Sequence, residues 1–173
     1  MKRIAAIIAF FLIGMVSYAQ SYIENDYTED GTRIISTKAV PVLSKDLDVT
    51  AVGFKAAITE KQELYIITII FFNDNKVTIK AGDMASFRMA EGANVYLKAW
   101  MDGSCKVYNE NQYMITASYE IPKEKIYDML KALKTITINY TEIIETSRDI
   151  QIPFSSAEAL MNGYLELLIK TGN

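Results

Sequence analysis

Met84-Ala85-Ser86-Phe87-Arg88-Met89-Ala90-Glu91-Gly92-Ala93-Asn94-Val95-Tyr96-Leu97-Lys98-Ala99-Trp100 has the pattern of two strands joined by a tight loop. Apolar and polar residues alternate through both of its arms. Ala85, Phe87 and Met89 fall on one side of the first arm, and Val95, Leu97 and Ala99 on one side of the second. Successive side chains of a strand point to opposite faces, so such alternation marks a half-buried strand. A slip of one residue would turn every side chain over, so the two apolar sets meet only across an odd-numbered loop. Ala90-Glu91-Gly92 meets that condition and puts Gly92 at the left-handed position of a three-residue hairpin loop. The opposite face then carries Ser86, Arg88, Tyr96, Lys98 and Trp100. Aromatic rings beside cationic and hydroxyl donors suit stacking on a sugar or anchoring a protein. Trp100, Tyr96, Lys98 and Arg88 are therefore the candidate binding residues. The alternative is that a second layer covers this face and the charged groups reach past it to water.

N-terminal to the hairpin, residues 64–72 form a run that is apolar on both faces, as in a central strand. Residues 32–40, 49–58 and 77–80 are also strand-like, and residues 41–48 read as a connection. Residues 20–31 are polar and acidic without apolar period, which predicts a flexible lead-in. C-terminal to the hairpin, residues 102–112 read as a long irregular loop, and residues 113–120 alternate cleanly. Pro122 fits a first helical turn, and Ile126, Met129, Leu130 and Leu133 follow at helical spacing. Residues 135–140 return to strand, a turn is expected near Ser147, and residues 150–153 lead into a last helix. There Ser155 and Glu158 have the spacing of a capping box, with Phe154 placed to pack on Ala159. Leu160, Met161, Tyr164, Leu167 and Leu168 form the apolar stripe of that helix. The order predicts an α+β domain. It has a mainly antiparallel sheet with two helices, about residues 122–133 and 156–170, packed on one face.

The N-terminus gives the destination. Lys2 and Arg3 precede thirteen uncharged residues, 4–16, in which only Gly14 is not apolar, and Ser17-Tyr18-Ala19 follows. That is the layout of a cleavable secretory signal over residues 1–19, leaving residues 20–173 as one domain. The apolar run falls short of the roughly 20 residues a spanning helix needs. The expected product is periplasmic or secreted, with no membrane insertion after cleavage. Without Lys2 and Arg3, 16 basic residues face 21 acidic ones, a net charge of −5. With no basic run, nucleic acid is not an expected partner.

The chain has no histidine and one cysteine, Cys105. Histidine-containing zinc sites, Ser-His-Asp and Cys-His nucleophiles and paired-cysteine redox chemistry are thereby excluded. No phosphate-binding glycine loop occurs, and no cofactor is called for. Asp26, Thr28, Asp30 and Gly31 match half of a calcium loop, but its twelfth position holds Thr37 where a glutamate is required. Asp102, Glu110, Glu142 and Glu145 are the carboxylates that could pair for glycoside hydrolysis.

Ala19-Gln20, Lys80-Ala81-Gly82-Asp83 before a strand, Tyr119 before the first helix and Ile150-Gln151-Ile152-Pro153-Phe154 before the last form a set. In these the chain resembles small secreted proteins of unassigned function common in Bacteroidetes-type bacteria. The resemblance implies a compartment and a fold, and no catalytic residues. Three readings follow from the sequence. The first is a non-catalytic exported domain that binds a protein or glycan. The second is a carboxylate hydrolase of envelope carbohydrate, and the third a carrier of a small apolar ligand.

Overall fold

The computed structural model describes residues 21–43 and 49–172, so the signal assigned to residues 1–19 lies outside the described residues. Of the described residues, 55% lie in strands and 19% in helices. The strands are β1 (Ile23–Glu29), β2 (Thr32–Thr37), β3 (Val40–Leu43), β4 (Val49–Ile58), β5 (Glu63–Asn73), β6 (Met84–Met89), β7 (Asn94–Lys98), β8 (Ser104–Asn109), β9 (Gln112–Glu120), β10 (Leu133–Thr141) and β11 (Glu145–Gln151). Helix α1 is Lys123–Ala132 and helix α2 is Phe154–Thr171. All the pairings are antiparallel.

The expectation of one sheet with both helices on one face is corrected. The strands form two sheets. One has the order β1-β2-β4-β5-β9-β8 with β3 also on β4, and the other the order β11-β10-β6-β7. The first sheet curls, and its inner side receives the second sheet and the helices. Helix α2 touches β1 to β4 of the first sheet and β10 of the second, while α1 touches α2 and β6. Helix α2 therefore lies against both sheets, and α1 packs beside it on the second. A β-rich fold results because both sheets have an apolar inner face to bury, and each supplies the other's cover.

Aromatic contacts mark that interface. Phe71 of β5 meets Tyr140 of β10 with ring centroids 5.8 Å apart, and Phe87 of β6 meets Tyr119 of β9 edge-on at 6.2 Å. Phe54 of β4 meets Tyr164 of α2 at 6.0 Å. Arg148 of β11 spans the gap: its guanidinium donates to the Phe72 carbonyl at 2.7 Å and lies over the Phe71 ring at 5.3 Å. The residue after β7 also links the sheets through the bridge Ala99 to Tyr119, and Thr78, in the segment between β5 and β6, bridges to Thr141 of β10.

The hairpin has the register that a three-residue loop requires, with Phe87 opposite Val95 and Gly92 at φ +84°. Other segments differ from the sequence reading. Residues 23–29, expected as flexible lead-in, form β1, whose Asp26 takes a two-pronged ion pair from Arg33 at 2.9 Å. The half-match to a calcium loop thus lies in a β-hairpin, and the hydrogen bonds from Arg33 hold the Asp26 carboxyl below its ordinary pKa. The loop expected over residues 102–112 contains β8, and the turn expected at Ser147 comes earlier, leaving Ser147 inside β11. Helix α2 begins at Phe154 with Pro153 as its N-cap and makes no side-chain cap bond. Ser155 then lies inside the first turn, so the capping box does not form, and Phe154 stands 86% exposed instead of packing back on the helix.

Candidate functional site

The outer side of the four-stranded sheet has no layer over it. Its inner side buries Ala85, Phe87, Leu97, Ile136, Ile138 and Ile150, so strand alternation forces their neighbours outward. Register then arranges those neighbours in rows across β7, β6, β10 and β11. Tyr96, Ser86, Thr137 and Asp149 form the central row. Asn94, Arg88, Thr135 and Gln151 lie on one side of it, and Lys98, Met84, Asn139 and Ser147 on the other. Adjacent strands lie about 4.8 Å apart, so each row spans roughly 14 Å.

Three hydrogen bonds set the hydroxyls and amides of this face. Thr137 Oγ1 donates to Asp149 Oδ1 at 2.7 Å, and Thr135 Oγ1 donates to Gln151 Oε1 at 3.1 Å. Asn139 Nδ2 donates to the Met84 carbonyl at 3.0 Å. The threonine oxygens keep lone pairs for an incoming donor. Tyr96 is 61% exposed at the edge, and Arg88 and Lys98 form no ion pair among the described residues. Positive charge thus borders the aromatic edge, while Asp149 and Glu145 lie on β11 at the far edge.

Of the four residues singled out in sequence, Tyr96, Arg88 and Lys98 share this face and Trp100 does not. Lys98 is the last residue of β7, and Ala99 already bridges to β9 of the other sheet. The Trp100 amide donates to the Ser118 carbonyl at 2.8 Å. Its ring lines a shallow hollow on the seven-stranded sheet with Ala57, Thr59, Gln62, Leu64 and Glu120. Alternation continued through Ala99 could not show that the chain changes sheet there. Sequence reasoning missed the β10 and β11 side of the face, Thr135, Thr137, Asp149 and Gln151. The polar alternation 145–151 was the signal that could have found it.

Trp100 is 45% exposed and is the chain's single tryptophan. Trp100→Ala is expected to cost about 1–2 kcal/mol, well below the ~3–5 kcal/mol of a buried ring. The wild-type emission should be readily quenched by acrylamide. A blue-shifted, unquenched emission with a strongly destabilised variant would place the ring in the core instead.

The carboxylates considered for hydrolysis come from three places along the chain, with Glu142 and Glu145 at the same turn between β10 and β11. Asp102 accepts the Ala81 amide at 2.8 Å, and Glu142 accepts Asn73 Nδ2 at 2.7 Å. Glu110 lies in the turn between β8 and β9, and Glu145 begins β11 opposite Thr141. Glu166 is held below its ordinary pKa by the Ser21 hydroxyl and the Tyr22 amide, against an opposing effect of burial. Tyr119 puts its hydroxyl into the core without a partner among the described residues, and burial, with the charge of Asp83, pushes its pKa up. Among the described residues no three His, Cys, Asp or Glu side chains cluster to hold a metal ion. Cys105 is partly buried in β8 and packs against the core. Comparison with protein-family models, curated proteins and solved structures finds no match.

Proposed function

We propose that this chain is a non-catalytic exported domain that binds a glycan on the open face of its four-stranded sheet. The observation that carries this reading is the row Tyr96-Ser86-Thr137-Asp149, on the outer face of the sheet with its two ends exposed and its centre half-buried, bordered by Arg88 and Lys98. A sugar ring has an apolar face of C–H groups and a rim of hydroxyls. The Tyr96 ring offers a surface for the first, and the serine, threonine and carboxylate groups offer acceptors and donors for the second. A protein partner would favour an apolar centre ringed by polar groups. Here the order is reversed, with Ser86, Thr135 and Thr137 central and the aromatic at the edge. The hydrolase reading is not carried forward, because Asp102 and Glu142 are engaged by the Ala81 amide and the Asn73 side chain, and no cleft gathers the candidate carboxylates among the described residues.

Tyr96→Ala is expected to weaken binding of a responsive oligosaccharide at least tenfold, in the range of an aromatic anchor. The same substitution should shift stability by no more than about 0.5 kcal/mol, because the ring is mostly in water. Isothermal titration against neutral and uronic-acid oligosaccharides, beside a thermal melt, reads both. Unchanged affinity in a normally folded variant would rule out this face.

A further inference from the structure

A second surface, independent of the sheet face, lies between the helices. Helix α1, the start of α2, the first residues of β10 and Ile152 just after β11 border a groove of about 430 Å³. That volume falls within the range of about 300–1,000 Å³ typical of small-ligand sites. Its lining is apolar where the helices meet the strands: Leu130, Leu133, Ile152, Ala157 and Met161. Two aromatic residues line it while remaining in water, Tyr127 at 51% exposure and Phe154 at 86%. A phenylalanine so exposed gains nothing from the fold itself. It is placed there by Pro153, which starts α2 one residue before it.

Charge distinguishes the groove from a simple packing gap. Lys131 and Lys134 both border it, and neither ammonium group has a hydrogen-bond or ion-pair partner among the described residues. Glu158 is the one acidic residue in the lining, which leaves a local surplus of positive charge on a chain of net charge −3. An apolar trough bordered by two free ammonium groups is complementary to an alkyl chain with an anionic end. The volume suits such a chain laid lengthwise, whereas a docked helix is about 10–12 Å across with its side chains. We infer that the groove between α1 and α2 binds a long-chain carboxylate, its tail against Leu133, Ile152 and Met161 and its head group at Lys131 and Lys134.

Dodecanoate, kept below its micelle concentration, is the probe, with dodecanol as its uncharged counterpart. Calorimetric titration of the folded protein should give one site for dodecanoate. The double variant Lys131→Gln/Lys134→Gln should weaken dodecanoate about tenfold while changing dodecanol less than twofold. Phe154→Ser, which alters a residue already in water, should weaken both probes. Sedimentation should show a monomer with and without the probe. Absence of dodecanoate binding overturns the inference, as does binding that ignores all three substitutions. Equal losses for acid and alcohol in the lysine variant would show that no anion is recognised there. A dimer that dissociates on Phe154→Ser would assign the groove to a second copy of the chain.

Discussion

Phe87→Ala is expected to lower the unfolding free energy by about 3–5 kcal/mol, the range for removing a buried phenylalanine ring. Phe87 is fully buried, opposite Val95 across the hairpin and opposite Ile136 on β10. Its ring also meets Tyr119 edge-on from the other sheet. Truncation therefore opens a cavity between the two sheets, with neighbours on both sides held by strand registers that cannot close over it. A domain is stable by only about 5–15 kcal/mol, so this is a large share. In urea the midpoint should fall with the slope unchanged, since the folded state stays as compact. A loss below about 1 kcal/mol would contradict the packing of one sheet on the other at this point.

Leu160→Ala should cost about 2–5 kcal/mol, and Leu168→Ala clearly less. Leu160 is buried in α2, on the side that carries Tyr164 and Leu167 against the strands, whereas Leu168 is only partly covered. The difference tests whether α2 belongs to the core. It closes the space between β4 of one sheet and β10 of the other, so its loss would expose apolar surface on both. Denaturant unfolding of the two variants reads the contrast. Equal and small effects would make α2 an appended helix and would leave Phe54 and Tyr164 without a packing role.

The parts of the fold that were legible in the sequence are those with one buried side. The hairpin of β6 and β7 is the clearest case, because Phe87 and Val95 fix the register and Gly92 supplies the left-handed residue. Of the strands not expected, β1 and β8 lie at the two ends of one sheet, and β3, read as part of a connection, lies off its main path on β4. Of β11, the end strand of the other sheet, only the last residues were expected as strand. Edge strands bury little, so Asn25 to Glu29 or Lys106 to Asn109 show no apolar period to read. The division into two sheets is a tertiary choice of partners: β6 pairs with β7 and β10, and β5 with β4 and β9, which local alternation does not encode. Trp100 was misplaced for a related reason: alternation follows the strand locally, and the transfer of Ala99 from β6 to β9 is a tertiary event. The helix groove had no sequence signal, since Lys131, Lys134 and Phe154 come from separate segments that meet only in the folded chain.

The proposal that the four-stranded sheet binds a glycan is tested most directly by amide chemical-shift mapping during titration with uronic-acid oligosaccharides. Saturable shifts are expected at Ser86, Arg88, Tyr96, Thr135 and Thr137, with the hollow at Trp100 and the groove between the helices unmoved. Shifts confined to either of those other surfaces, or no saturable shifts with any oligosaccharide tested, would contradict it.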